Sequence, residues 1–119
     1  MSKKILVVDD EPSIVKVVAS RLEAFGYEVI TANDGDVGLE RLKNEKPDLV
    51  ILDITMPRMD GYTFVKKLQA DHTIPRVPIV MLTAKDKMKD LFELEGIKDY
   101  IVKPFDGNEL LDKVKKHLG

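Results

Sequence analysis

Three short runs in this chain carry no polar side chain: Ile5-Leu6-Val7-Val8, Leu49-Val50-Ile51-Leu52 and Ile79-Val80-Met81-Leu82. A strand with one face in water alternates apolar and polar residues, so runs of this kind belong to strands buried on both faces. Strands are predicted over 4–8, 28–32, 49–53, 79–82 and 99–102. Amphipathic helical patterns fill the intervals, over 12–25, 35–45, 61–70, 86–95 and 108–118. Strand and helix alternating in this way predict an α/β domain, a parallel sheet covered by helices on both faces. The mixed run Glu28-Val29-Ile30-Thr31-Ala32 suits an edge of that sheet.

Local punctuation agrees with these boundaries. Pro12 fits the first turn of a helix, and Gly26 fits the residue just past its end. Asp34-Gly35 opens the second helix, Pro47 closes the segment after it, and Asp106-Gly107-Asn108-Glu109 has capping-box spacing before the last. On the first helix, Ile14, Val17, Val18, Leu22 and Phe25 are expected to form the core stripe, with Val15 and Ala19 to one side of it.

A chain of 119 residues is expected to form one domain, residues 1–119, with a core that needs no staples. Without cysteine it has no disulfides or thiolate metal sites. No apolar run approaches the roughly 20 residues of a membrane span. Only four apolar residues follow Met1-Ser2-Lys3-Lys4, too few for a secretory signal, so a cytoplasmic location is expected. The net charge of -2 is spread over mixed acids and bases, which argues against direct nucleic-acid binding. The basic stretch Lys113-Val114-Lys115-Lys116-His117 reads as a solvated last helical turn.

The chemistry collects at the carboxyl ends of the strands, where open parallel sheets bind ligands. The first strand runs into Asp9-Asp10, the third into Asp53 and the fifth into Lys103-Pro104. Carboxylate oxygens suit a hard dication such as magnesium, which takes one or two carboxylates and keeps several waters. Three crowded carboxylates repel one another, and a cation together with Lys103 relieves that repulsion. A carboxylate can also attack phosphorus, and phosphoryl transfer needs mainly positioning and charge neutralisation. Asp53, after the central apolar run, is the best-placed nucleophile, and the Thr83 hydroxyl follows the fourth run into the same region. Taken singly, each residue has a plainer reading. Asp10 could cap the next helix, Thr83-Ala84-Lys85-Asp86 is also a capping-box pattern, and Lys103 could be an ordinary surface lysine.

Together these residues resemble the receiver domain of two-component response regulators, along the whole chain. The resemblance rests on ILVVDDEP at the first strand, LVILDITMPRMDG at the third, VMLTAK at the fourth and DYIVKPF at the fifth. It implies a flavodoxin-like (βα)5 fold of CheY type with strand order 2-1-3-4-5. It implies that Asp53 is phosphorylated from the phosphohistidine of a sensor histidine kinase or a phosphotransfer protein. Asp10, Asp53 and the backbone carbonyl of Thr55 match the ligands of magnesium (or manganese), and Asp9 matches an acid that reaches the metal through water. Lys103 matches the lysine that pairs with the phosphoryl group, with a cis bond to Pro104. Thr83, with its neighbour Ala84, matches the phosphoryl-binding switch position, and Tyr100 matches the aromatic switch. Kinase docking is implied for the first helix and the loop after the fifth strand, here Ile14, Val15, Ala19 and Phe105. A downstream protein or an output domain would read the face formed by the fourth helix, fifth strand and fifth helix, with the chain a monomer or a phosphorylation-dependent dimer.

Two departures from the pattern fall on that output face. The span from Thr83 to Lys103 is shorter than in most receivers, and Lys98 stands where Asp is common. Other functions fit less well. A haloacid-dehalogenase-like phosphatase needs a second acid where Thr55 stands. A nucleotide or flavin module lacks its glycine-rich loop after the first strand. An interaction domain independent of phosphorylation would have lost Asp53, Lys103 or one of the acid pair.

Overall fold

The computed structural model describes residues 2–54, 56, 59–84 and 97–118. Five strands, β1 (Lys4–Val8), β2 (Glu28–Ala32), β3 (Leu49–Asp53), β4 (Ile79–Ala84) and β5 (Ile97–Lys103), form one parallel sheet in the order β2-β1-β3-β4-β5. The described helices are α1 (Pro12–Ala24), α2 (Gly35–Glu45), α3 (Gly61–Ala70) and α4 (Gly107–Leu118). This is the flavodoxin-like order. The helix predicted over 86–95 lies outside the described residues, and so do Thr55 and Lys85.

Alternation along the central strands divides the core in two. Leu6, Val8, Val50 and Leu52 face one side, where they pack with Leu42 of α2 and Phe64, Val65 and Leu68 of α3. Ile5, Val7, Leu49 and Ile51 face the other, against Val18 and Leu22 of α1 and Leu110, Leu111 and Val114 of α4. With both faces covered, polar residues have no place in these strands, which accounts for the uninterrupted apolar runs. The more mixed β2 is an edge strand, as its sequence suggested.

Helix boundaries follow side-chain chemistry. Asp34 caps α2 by accepting the Val37 N–H at 2.8 Å. Asp60 caps α3 through the Thr63 N–H at 2.9 Å, and Asp106 accepts the Glu109 N–H at 2.7 Å. After α1 the chain turns at Gly26, whose φ of +92° is open to glycine without strain.

The core stripe predicted for α1 needs correction. Val18 and Leu22 are buried, but Val17 is 56% and Phe25 54% exposed. At 100° per residue the centre of the buried face lies between Val18 and Leu22, which puts half-buried Val15 and Ala19 on its near flank and Val17 far round the helix. Phe25 is the C-cap, past the last helical residue, so helical periodicity does not govern its direction. Its ring lies under the Lys115 amino group, 4.9 Å from the centroid.

The basic end of α4 is also more than a solvated turn. The β4–β5 ladder shifts register between the Ile79–Ile97 and Val80–Asp99 pairs, leaving Lys98 as an extra residue. Asp99, whose side chain is 8% exposed, accepts from Lys113 Nζ at 2.8 Å, pairs with His117 Nε2 at 3.0 Å and lies 3.5 Å from Lys116 Nζ. The three partners stand at i, i+3 and i+4 on one face of α4, so a single carboxylate clamps the helix to the edge strand. Partial desolvation alone would raise the Asp99 pKa, but hydrogen bonds from Lys113, His117 and the Tyr100 N–H hold it well below the ordinary value of 3.8. A carboxyl depressed on folding contributes stability above its unfolded pKa and loses it as pH falls through the folded one. Asp99→Asn is therefore expected to cost about 1 kcal/mol at neutral pH, the exposed Lys116 arm adding little. Urea unfolding should show the gap from wild type closing below about pH 4. A gap that stayed constant into strong acid would mean that the carboxylate charge is not what holds the clamp.

Candidate functional site

The sheet order reverses direction at β1, between β2 and β3, and ligands bind at such switch points, beyond the carboxyl ends of the strands. Val8 of β1 is paired with Leu52 of β3, so Asp9 and Asp53 follow side by side. Asp53 in turn pairs with Leu82 of β4, and Thr83 is the next residue along. Lys103 ends β5 opposite Ala84, and its long side chain reaches back across β4.

Asp9, Asp10 and Asp53 each offer a carboxylate oxygen, and these atoms lie within 4.8 Å of one another. Asp9 is fully buried, Asp53 nearly so, and Asp10 half-buried. Lys103 Nζ stands 3.3 Å from Asp53 Oδ1 and 3.4 Å from Asp9 Oδ2. Burial of this amine acts to lower its pKa, but the charges of Asp53 and Asp9 outweigh that and raise it, so Lys103 stays protonated at neutral pH. The other oxygen of Asp9 accepts the Glu11 N–H at 2.9 Å, which fixes the turn between β1 and α1. The N-cap of α1 is Glu11, without a side-chain capping bond, so Asp10 does not serve as the helix cap its sequence position also allowed.

The loop that leaves Asp53 is held by close backbone approach. Ile54 N–H continues the ladder to the Leu82 carbonyl at 3.0 Å, and Gly61 N–H returns to the Ile54 carbonyl at 2.8 Å. A Cβ on Gly61 would stand 2.9 Å from Ile54 Cα and 3.2 Å from the Asp53 carbonyl oxygen. Only glycine lets α3 start this close to the acidic cluster. Met56 and Met59 are buried on this side, in the same apolar cluster as Met81.

Thr83 is fully buried inside β4, paired with Val102, and the helix that its capping-box pattern precedes lies outside the described residues. Tyr100 is half-buried on β5 and packs against the α2–α3 side of the core. The Lys103–Pro104 peptide bond is cis. Ile14, Val15 and Ala19 are half-buried on α1, and Phe105 is half-buried against the α1–α4 core cluster. The ligand position expected for the Thr55 carbonyl falls outside the described residues. The Asp99 clamp is the feature that sequence reasoning missed. Its only signals were Lys98 at an unusual position and the run of cations near the chain end.

The donor set fits a magnesium ion: all-oxygen, anionic, and small enough in number to leave room for water or phosphoryl oxygens. Manganese takes the same ligands. No helix among the described residues is long and apolar enough to cross a membrane.

Comparison with known proteins agrees with this geometry. The response regulator receiver domain family matches residues 5–115. The alkaline phosphatase synthesis transcriptional regulatory protein PhoP of Bacillus subtilis is 48% identical over 120 residues, covering 99% of this chain and 49% of PhoP. The chain spans about half the length of the curated relatives it matches. The chemotaxis response regulator CheY4 of Vibrio cholerae superposes with a TM-score of 0.90 at 35% identity, covering 99% of this chain and 100% of CheY4. The receiver domain of the sensor histidine kinase PA1611 of Pseudomonas aeruginosa, solved with a magnesium ion coordinated in its active site cleft, superposes with a TM-score of 0.86 at 29% identity, covering 98% of each chain. The chain belongs to the response regulator receiver domain family.

Proposed function

We propose that the chain is a phosphoacceptor switch in which Asp53 takes a phosphoryl group from the phosphohistidine of a histidine kinase or phosphotransfer protein. The observation that carries this reading is the buried Asp53 carboxylate, 3.3 Å from a protonated lysine and within one cluster with two further acids. An Asp53 oxygen attacks phosphorus, the bond from phosphorus to the imidazole nitrogen breaks, and the nitrogen keeps the electron pair and takes up a proton. The product is an acyl phosphate, which water later cleaves to inorganic phosphate and the free carboxylate. The chain's own residues thus catalyse both its phosphorylation and its slow dephosphorylation.

Asp10, Asp53 and the Thr55 carbonyl are the proposed magnesium ligands, with Asp9 acting through water. Bound there, the cation neutralises the acids and the phosphoryl oxygens. Lys103 moves its ammonium from the carboxylates to a phosphoryl oxygen, and the Thr83 hydroxyl and Ala84 amide donate to the others. Recruitment of Thr83 frees space for the Tyr100 ring, which carries the change to the edge of the sheet. Relatives about twice as long are named transcriptional regulators, so the proposed reader of β5, α4 and the 86–95 stretch is an output domain or a separate protein. The test is labelling by acetyl phosphate with and without EDTA. Labelling should need added magnesium and stop in chelator, and labelling at an equal rate in EDTA would end the metal role.

For docking, the proposed surface is the flank of α1 formed by Ile14, Val15 and Ala19 with Phe105 nearby. Val15→Lys is expected to slow transfer from the cognate kinase about tenfold or more, in keeping with a lysine ammonium placed in an apolar contact. The rate with acetyl phosphate should be unchanged, and equal slowing with both donors would remove Val15 from the interface.

A further inference from the structure

Lys113 links the clamp on β5 to the ring of Tyr100. Its amino group is 2.8 Å from Asp99 Oδ1 and 5.8 Å from the centroid of the Tyr100 ring. The same Asp99 oxygen accepts the Tyr100 main-chain N–H at 2.9 Å. One carboxylate oxygen therefore holds both the backbone of Tyr100 and the cation at its ring. Successive strand residues face opposite sides of a sheet, so Asp99 meets α4 while Tyr100 faces away from it. Because β5 is the edge strand, a side chain from α4 reaches the ring round that edge.

The cation stands on the wet side. Lys113 remains 30% exposed, whereas Thr83, toward which the ring would turn, is fully buried. An ammonium cannot follow the ring into the apolar interior without losing its hydration. Inward rotation of Tyr100 must then part the ring from Lys113. Lys116 gives the natural contrast. It carries the same charge, also faces Asp99, and is 65% exposed at 3.5 Å.

We propose that Lys113, held by Asp99, is a positioning residue that tethers Tyr100 outward and so sets how far the switch is biased before phosphorylation. This rests on the reading of Tyr100 as the aromatic switch. Loss of a cation–ring contact of this kind is expected to shift the two-state ratio about two- to fivefold. By reciprocity, the affinity for a ligand that favours the inward state must tighten by the same factor.

The test uses beryllofluoride with magnesium as the phosphoryl probe, on the chain with fluorotyrosine in place of its three tyrosines. Fluorine NMR then reports each ring, with Tyr100 assigned by its loss in Tyr100→Phe. In wild type, beryllofluoride should move the Tyr100 signal and so define the axis of the switch. Lys113→Gln should move the free Tyr100 signal part of the way along that axis and tighten beryllofluoride binding about two- to fivefold. Lys113→Arg, which keeps a cation at the ring, should restore the wild-type position. Lys116→Gln, with the same change of charge, should leave the signal in place. A Tyr100 signal unmoved in Lys113→Gln, or moved the opposite way, overturns the tether while leaving the switch reading intact. A wild-type Tyr100 that ignores beryllofluoride overturns the switch reading and the tether with it.

Discussion

Asp53→Asn is expected to leave the chain unable to accept phosphate, with labelling from acetyl phosphate or phosphohistidine slower by more than about a thousandfold. An amide oxygen has the shape of the carboxylate but lacks its charge, and it is a poor nucleophile toward phosphorus. The substitution suits the space, because Asp53 is 5% exposed at the end of a strand whose other residues are fully buried. Lys103 keeps its second partner, since Asp9 Oδ2 is 3.4 Å away, so no buried cation is stranded. The variant should remain folded, and a thermal melt distinguishes lost chemistry from lost structure. A folded Asn variant labelled at the wild-type rate would place the nucleophile elsewhere.

Lys103→Met has the next largest expected effect, and its two consequences run in opposite directions. Lys103 bridges Asp9 and Asp53, so in the unphosphorylated chain its ammonium competes with a bound cation for the same carboxylates. Removing it takes away the ammonium that Asp9 and Asp53 share, and their repulsion then favours magnesium more strongly. Magnesium affinity should therefore rise, by about two- to tenfold given the solvent access of a lysine that is 25% exposed. Phosphoryl transfer should fall about 100- to 1,000-fold, the usual cost of losing one preorganised donor to developing charge. Magnesium titration by calorimetry and single-turnover labelling measure the two effects separately. Metal binding and transfer falling together would point to a disordered site, and Lys103 would then be structural.

Much of this arrangement was legible because it follows from strand burial and topology. Runs such as Leu49-Val50-Ile51-Leu52 have no polar face, which predicts a doubly covered parallel sheet. Such a sheet brings the residues after its strands to one end, and Asp9, Asp10, Asp53 and Lys103 stand there. Helix caps such as Asp34 and Asp106 were readable because they act within three residues. What sequence did not reveal depends on contacts between distant elements. The register shift at Lys98 arises from the pairing of β5 with β4, and it aims Asp99 at cations more than ten residues away on α4. Phe25 was misplaced because a helical period was carried one residue past the end of α1. Val17 was misplaced because apolar residues spread round much of α1, from Ile14 and Val15 to Val17, Val18 and Ala19, so the pattern alone does not reveal where the core lies. The reach of Lys103 across β4 to two acids is likewise a tertiary fact, although its place at the end of β5 was visible.

Function depends on which carboxylate carries the phosphoryl group. Treating the chain with acetyl phosphate and magnesium, reducing the acyl phosphate with borohydride and sequencing the peptides by mass spectrometry reads this directly, because a phosphorylated aspartate becomes homoserine. Homoserine is expected at position 53 alone, and absent when EDTA is present. Homoserine at position 9 or 10, or a phosphorylated chain with position 53 still aspartate, would contradict this.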